Sequence, residues 1–279
     1  MALGPQTIRL RPAPHARASI LSYSLTLAPR EHTLQWYQDP AANFLARAFF
    51  PAPVTSLQVD VELEAEIGPS NAFDFIVEPE VATWPFRYPE GLRRELTAFT
   101  MSNPPGPGLV ALEAEIPGTE QPTVAALTQL ARLVSERIAY RIRLEPGVQS
   151  PEETLASRAG SCRDSAWLLV ELLRRRGFAA RFVSGYLIEL IDAPGADRAS
   201  LHAWAEAYLP GAGWIGLDST SGLLTGEAHV PLAASASPAS AAPLSGTVEQ
   251  DAAAFEVTTT VARLAGAGDP RPPGANVRP

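Results

Sequence analysis

The chain has 279 residues, of which 46% are hydrophobic and 19% are charged, and it carries a formal net charge of −8 at pH 7. These values are typical of a soluble globular protein, and a chain of this length can bury the cores of two modest domains. The sequence has no apolar run near the roughly 20 residues of a membrane helix. Its scattered acidic residues offer no electropositive surface for nucleic acid. We therefore expect no membrane span and no nucleic-acid partner.

Cysteine and lysine usage narrows the chemistry. Cys162 is the single cysteine, and all 22 basic residues are arginine. One cysteine cannot form an internal disulfide, which is typical of a reducing compartment. The first residues, MALGPQTIRLRP, lack the basic start and the apolar stretch of a secretory signal. We predict a cytoplasmic protein with a free thiol, and a chain without lysine offers no side-chain amine for cross-linking to itself.

The first part of the chain predicts strands. Short runs alternate apolar and polar residues with a period of two, which is typical of strands with one buried face. These runs are Ile8/Leu10, Ile20–Leu27, Phe44–Phe50 and Leu57–Ile67. Prolines between the runs predict turns, so we predict an antiparallel β-sandwich or barrel over residues 1–80. A proline-rich connector follows over residues 81–122, and its NPPGPG stretch at 103–108 is predicted to be its most flexible part.

Two helices are predicted at the start of the second part. Thr123–Ile138 has apolar residues at helical spacing and predicts an amphipathic helix. The same spacing after Cys162 predicts a long buried helix that ends at Gly177. Ser161 is a favourable N-cap, and Asp164 stands three residues later, where a capping acid is expected. Cys162 therefore lies in the first turn of this helix.

Three strands are predicted after the buried helix. They are Ala180–Leu190, Leu201–Leu209 and Gly213–Ser219. Alternation along the middle strand puts His202 and Trp204 on one face and small apolar residues on the other. A neighbouring antiparallel strand can then bring Asp218 beside His202. We assign residues 123–265 to this α+β core, with a helix packed on an antiparallel sheet, and residues 266–279 to a flexible tail. The Ala/Ser/Pro-rich segment Ala233–Ser245 is predicted to be a loop near the cleft.

The residues of the second part can supply nucleophilic catalysis. A cysteine nucleophile needs a thiolate, an imidazole that holds and delivers its proton, and an acceptor that fixes the imidazole. Cys162, His202 and Asp218 can supply these groups, and the N–H groups at the helix start favour a thiolate and can receive an oxyanion. Each residue also has a structural alternative: a small core thiol, a hydrogen-bonded strand histidine or a turn-forming acid. The presence of all three favours a catalytic triad.

The sequence gives little support for a metal or a cofactor. Zinc could in principle be held by Cys162, His202, Asp218 and His229, but no paired C-x-x-C or H-x-x-x-H element is present. No phosphate or dinucleotide loop precedes a helix. We expect no metal and no cofactor. His229, Glu206 and Arg163 stay open between a role in the site and a place on the solvated surface.

Two stretches carry specific motifs: GSCRDSAWLLVELLRRRGFAARFVSGYL and LHAWAEAYLPGAGWIGLDSTSGLL. From about Thr123 to Val230 the chain resembles the core of the bacterial transglutaminase-like superfamily of papain-like cysteine enzymes. In that family the cysteine of G-x-C, the histidine of H-A-W and the aspartate of a D-P-T-x-G-like turn form the triad. The resemblance places these roles at Cys162, His202 and Asp218. The β-rich stretch before the core resembles the N-terminal domain that often precedes it.

The resemblance implies a function and leaves some differences. It implies a cysteine enzyme that attacks amide or peptide bonds of a peptide or protein through a thioester, with hydrolysis favoured over transfer to an amine. The alternative is a non-catalytic peptide-binding or scaffold module that keeps the papain-like fold. Ser219 stands where the family usually has proline. Relatives often begin with one more strand and can continue into a longer polypeptide, so we expect a clipped sheet edge and a partner module absent from this chain.

Overall fold

The computed structural model describes residues 1–143, 145–193, 195–249 and 255–264. The predicted tail at 266–279 lies outside them. The strands are β1 (Gln6–Ile8), β2 (Ser19–Ala28), β3 (Thr33–Gln38), β4 (Phe44–Phe49), β5 (Gln58–Glu66), β6 (Thr83–Trp84), β7 (Gln121–Pro122), β8 (Ala139–Tyr140), β9 (Ala159–Gly160), β10 (Ala180–Glu189), β11 (Arg198–Leu209), β12 (Gly213–Asp218), β13 (Leu223–Leu224), β14 (His229–Ser235) and β15 (Leu244–Ser245). The helices are α1 (Glu90–Glu95), α2 (Thr97–Thr100), α3 (Pro107–Ala114), α4 (Thr123–Arg137), α5 (Pro151–Ser157), α6 (Cys162–Arg175) and α7 (Pro238–Ala241). None of the helices in these ranges has the length and apolar character that a membrane span requires.

The N-terminal region is built from strands, as predicted. β1, β4 and β3 lie side by side in one antiparallel sheet, and β2 and β5 form a separate antiparallel pair. Ile8, Leu27, Ala46 and Ala48 are buried together in this region. The sequence did not predict β3, because every residue of that strand except Leu34 is exposed. Such a strand lacks the alternation that reveals a half-buried one.

The core is a five-stranded antiparallel sheet with α6 packed against one face. The strand order is β13, β12, β11, β10, β14. Ala203, Ala205 and Ala207 of β11 are buried in the same cluster as Leu169 and Leu173 of α6. Small side chains on the strand let the helix lie close to the sheet. The predicted α+β arrangement is confirmed, and α6 begins at Cys162 as predicted.

The connector is held more firmly than its composition suggested. Two carboxylates of the core bind the NPPGPG stretch at 103–108. Glu171 accepts the backbone N–H of Asn103 at 2.9 Å, and Glu152 accepts that of Gly108 at 2.9 Å. Helix α3 begins inside this stretch, at a proline, which is favoured in the first turn because it has no N–H to satisfy. Both ends of the stretch are therefore hydrogen-bonded to carboxylates of the core.

The segment Ala233–Ser245 is not the loop that its composition predicted. It contains the end of β14, helix α7 and strand β15. β15 pairs with β1, so the chain returns to the N-terminal sheet. The buried Asn43 side chain donates to the carbonyl of Ala234 at 2.9 Å and accepts its N–H at 2.8 Å. These contacts join the N-terminal region to the edge strand of the core.

Candidate active site

The start of α6 is fixed by a buried carboxylate. Asp164 accepts the backbone N–H of Ser161 at 2.8 Å, the N–H of Gln149 at 2.8 Å and the Arg143 guanidinium at 2.7 Å. Burial raises the pKa of Asp164, but these hydrogen bonds outweigh burial and hold its pKa below the usual range. The predicted capping acid is confirmed. Its two partners before the helix, Arg143 and Gln149, carried no signal in the sequence.

Cys162 opens α6, and its thiol is partly buried at the mouth of the helix. The thiol interacts with the imidazole of His202, which projects from β11. Burial lowers the pKa of His202, but Asp218 and Cys162 outweigh burial and raise the pKa to about 10. A protonated imidazole beside a thiol favours the thiolate. The structure therefore brings the predicted nucleophile and base together.

Asp218 ends β12 and lies beside His202, as the strand pairing predicted. Its Oδ2 is 3.2 Å from Nε2 of His202, and the side chains of His202 and Asp218 are only 7% and 6% exposed. Burial raises the pKa of Asp218, but His202 and His229 outweigh burial and hold its pKa far below the usual range. Nε2 of His202 therefore faces the Asp218 carboxylate.

A second histidine joins the site, although the sequence left its role open. His229 begins β14, and its Nε2 lies 3.4 Å from the same Oδ2 of Asp218. The backbone N–H of Gly226 points to its Nδ1 at 3.4 Å. Sequence spacing could not reveal this contact, because β11 and β10 stand between β12 and β14 in the sheet. The contact is made by the side chains at the end of β12 and the start of β14, and residue patterns within one strand do not determine it.

The Trp204 ring packs beside the rings of both histidines. It lies nearly parallel to His202 with centroids 6.4 Å apart, and it meets His229 edge-on at 5.2 Å. Gly185 on the neighbouring strand makes room for it, since a Cβ there would lie 2.3 Å from an atom of the Trp204 ring. Trp204 is buried, so it supports the imidazoles rather than offering an open surface to substrate.

Two large exposed side chains belong to residues that pair with strand positions at or near the reacting groups. Tyr140 pairs with Gly160 just before Cys162 in the chain, and it is 57% exposed. Leu223 pairs with Asp218 and is 60% exposed. We call Tyr140 and Leu223 the apolar rim.

The other two residues left open by the sequence belong to the framework. Glu206 forms a buried ion pair with Arg181 at 2.6 Å. Arg163 donates to the main-chain carbonyls of Arg143 and Glu145. Both side chains therefore hold neighbouring segments in place.

Three potential metal ligands also meet here, contrary to what the spacing suggested. The ligand atoms of His202, Asp218 and His229 all lie within 4.8 Å of one another, on three different strands. The Gly226 N–H points at Nδ1 of His229, however, and leaves the proton of a neutral ring on Nε2. A metal ion would need that proton removed. The hydrogen bonding thus favours a contact between carboxylate and imidazole over a metal centre.

Two protein families match parts of the chain in sequence. Residues 110–219 match the family described as the transglutaminase-like superfamily. Residues 1–66 match the bacterial transglutaminase-like N-terminal region. The first match contains Cys162, His202 and Asp218, and the second contains strands β1 to β5.

Similar proteins span most of the chain. The uncharacterized proteins Mb2599c of Mycobacterium bovis and Rv2569c of Mycobacterium tuberculosis are each 28% identical over 251 residues, which cover 86% of this chain and 80% of theirs. A crystal structure of a cysteine protease candidate from Cytophaga hutchinsonii is similar with a TM-score of 0.63 at 18% identity, over 88% of this chain and 81% of that chain. This similarity shows a shared fold, with a papain-like core behind a β-rich N-terminal region.

Proposed function

Since the chain belongs to the transglutaminase-like superfamily, we propose that it is a cysteine enzyme that cleaves amide or peptide bonds through a thioester on Cys162. One observation carries the proposal. The His202 ring presents Nε2 to the buried carboxylate of Asp218 at 3.2 Å, and the Cys162 thiol is among the groups that raise the pKa of the same ring. Nucleophilic cysteine chemistry uses a thiolate, an imidazole base and a third group that orients the imidazole, and Asp218 can be that third group.

The proposed reaction has two steps. The Cys162 thiolate attacks the carbonyl carbon, the C–N bond breaks, and the amine leaves with the proton of the His202 imidazolium. His202 then takes a proton from water, the resulting hydroxide attacks the thioester, and the acid is released. The thiolate and the imidazolium are restored when the thioester breaks. Asp218 keeps the ring oriented through both steps.

The start of α6 supplies the electrostatic part of catalysis. The backbone N–H of Cys162 lies in the first turn, where helix geometry leaves N–H groups without an intrahelical partner. Such a group can donate to the oxyanion that forms when the thiolate attacks. One donor of this kind contributes about 3–4 kcal/mol to the stability of the transition state. Asp164 fixes this turn and so fixes the direction of the donor.

The proposed substrate is a peptide or protein amide that rests against the apolar rim. Hydrolysis is favoured over transfer to an amine, because a partly exposed thiol lets water reach the thioester. The chain has no lysine that could act as an internal acceptor. We also propose a cytoplasmic location, where a single thiol stays reduced.

Alkylation with iodoacetamide tests the nucleophile. An ordinary thiol has a pKa of about 8.5 and is almost unreactive at pH 6, whereas a thiolate paired with an imidazolium reacts there. We expect Cys162 of the folded protein to react at pH 6 at least about tenfold faster than Cys162 of the His202→Gln variant. Equal rates would show an inert thiol. The chain would then be the non-catalytic binding module that is the alternative.

Product analysis tests the reaction and its acceptor. The protein is incubated with glutamine-containing peptides and a primary amine, and the products are identified by mass spectrometry. Shortened or deamidated peptides are expected, and a peptide–amine conjugate would instead indicate transfer. Cys162→Ala should reduce turnover to background without lowering the thermal unfolding midpoint, while His32→Gln in the N-terminal region should leave turnover unchanged. Full activity of Cys162→Ala would contradict the assignment.

A further inference from the structure

Asp218 is contacted by two imidazole rings at the same oxygen. Its Oδ2 lies 3.2 Å from Nε2 of His202 and 3.4 Å from Nε2 of His229. Its Oδ1 accepts the backbone N–H of Thr220 at 2.8 Å. Within the described residues, the His229 contact has the alignment of a hydrogen bond, whereas Nε2 of His202 is buried without an aligned partner. The carboxylate is therefore shared, and His229 makes the better-directed contact.

The groups around His229 determine which nitrogen carries its proton. The N–H of Gly226 points at Nδ1 from 3.4 Å, so Nδ1 acts as an acceptor and carries no proton. The proton of the neutral ring is then on Nε2, where it faces Asp218. The ring meets Trp204 edge-on at 5.2 Å, and the side chain is only 11% exposed. Packing thus holds the donor in the direction of the carboxylate.

We propose that His229 is a positioning residue: its N–H fixes the Asp218 carboxylate and withdraws part of its negative charge from His202. The inference rests on the proposed function. An imidazolium that faces the full charge of a carboxylate holds its proton strongly, whereas a general acid works best when its pKa is near the operating pH. A donor on the same oxygen weakens that hold. His202 stays oriented and still gives its proton to the leaving amine.

The charges around the two rings agree with this role. Burial lowers the pKa of His202, and Asp218 and Cys162 more than offset burial. His229 is among the groups that lower the pKa of Asp218. Glu227 is a second carboxylate near His229, but its side chain is exposed and interacts with Ser70. Asp218 is thus the buried charge on which His229 acts.

Two variants separate the donor from the rest of the side chain. His229→Gln places an amide N–H near the position of Nε2 and keeps a donor for Asp218. His229→Asn keeps a polar group near Gly226 but is too short to reach Asp218. His32→Gln is the matched control, because His32 lies in the N-terminal region and contacts the carbonyl of Pro29.

The experiment is an NMR titration of the His202 ring before and after Cys162 is alkylated with iodoacetamide. The chain has four histidines, so single variants assign each ring. Alkylation removes the thiolate and should lower the pKa of His202 in the wild-type protein, which reports on the proposed function alone. In the alkylated protein, His229→Asn should then raise the pKa of His202 by about one unit. The same variant should lose about tenfold in kcat on a peptide found by product analysis, with KM little changed.

The control variants have their own expected results, and each contrary result contradicts a different part of the argument. His229→Gln and His32→Gln should keep the pKa of His202 and stay within about twofold of wild-type kcat. An unchanged pKa on alkylation of the wild-type protein would contradict the thiol–imidazole pair and hence the proposed function. An intact pair with equal pKa and kcat in His229→Asn and wild type would overturn the role of His229 alone. If His229→Asn does not fold, the nitrogen-15 chemical shifts of the wild-type imidazole rings test the inference instead. They show which nitrogen of His229 carries the proton, and a proton on Nδ1 would overturn the inference.

Discussion

Arg11 in the N-terminal region and Asp164 in the core hold their charges in different ways. Arg11 in the N-terminal region is exposed and lies over the ring of Phe44 at 4.4 Å, where water also reaches it. Asp164 in the core is fully buried, and its partner Arg143 is largely buried. A charge in water loses little when its neighbour is removed, whereas a buried charge left alone is costly. Precise geometry is therefore expected where the charges are buried.

The three predicted site residues lie in the core, where charged groups are buried. Cys162, His202 and Asp218 all lie on elements of the core, and the N-terminal region supports the core from outside. Asn43 binds both main-chain groups of Ala234 on the edge strand β14. The N-terminal strands can therefore expose much of their surface without loosening the site. Substitutions of matched type in the two regions test this comparison.

The largest effect is expected for Asp164→Asn. The substitution removes the buried carboxylate of Arg143, leaves it only the exposed Glu145 at 3.6 Å, and removes an acceptor for the start of α6. We expect a loss of about 3 kcal/mol in the free energy of unfolding, measured by urea denaturation. Asp60→Asn is the matched control, because Asp60 is exposed on β5 of the N-terminal region and should change stability by less than about 0.5 kcal/mol. Equal losses in the two variants would contradict the division between the regions.

The pH dependence of Asp164 gives the same prediction a second readout. Burial raises its pKa, and hydrogen bonds from Gln149, Ser161 and Arg143 lower it further than burial raises it. A carboxyl whose pKa is lower in the folded state stabilises the protein fully above its unfolded pKa of about 3.9. This contribution is lost as the pH falls through the folded pKa. As the pH falls from 5 to 2, Asp164→Asn should therefore lose less free energy of unfolding than the wild type. The same loss in both proteins would contradict the assignment.

A smaller effect is expected for Gly185→Ala, which tests the packing of the core against the site. The added Cβ would lie 2.3 Å from the Trp204 ring and 2.5 Å from the Val230 carbonyl, so the ring must move. We expect a loss of about 2 kcal/mol in stability. The displaced ring should also slow the alkylation of Cys162 at pH 6.

The control for this substitution is Gly118→Ala, where an added Cβ meets nothing within 4 Å. This control should alkylate at the wild-type rate. If Gly185→Ala also alkylates at the wild-type rate, Trp204 does not support the imidazoles.

Local patterns predicted the reacting groups but not their support. The position of Cys162 follows from a helix cap, and that of His202 from alternation along one strand. Both signals act over a few neighbouring residues and can be recognised in the sequence. Arg143 and His229 reach the site through the path of a loop and a contact between side chains of separate strands, which neighbouring residues do not determine.

The smallest effect is expected for Arg11→Ala, the test in the N-terminal region. The guanidinium lies 4.4 Å from the centre of the Phe44 ring and 5.7 Å from that of Trp36. Exposed contacts between a cation and a ring contribute about 0.5–1 kcal/mol. We expect a loss of no more than about 1 kcal/mol in urea denaturation and an unchanged rate of Cys162 alkylation. Arg11→Lys keeps the charge and should fall between the two proteins. A slower alkylation in Arg11→Ala would show that the exposed sheet helps to set the geometry of the site, and that the two regions are less independent than their burial implies.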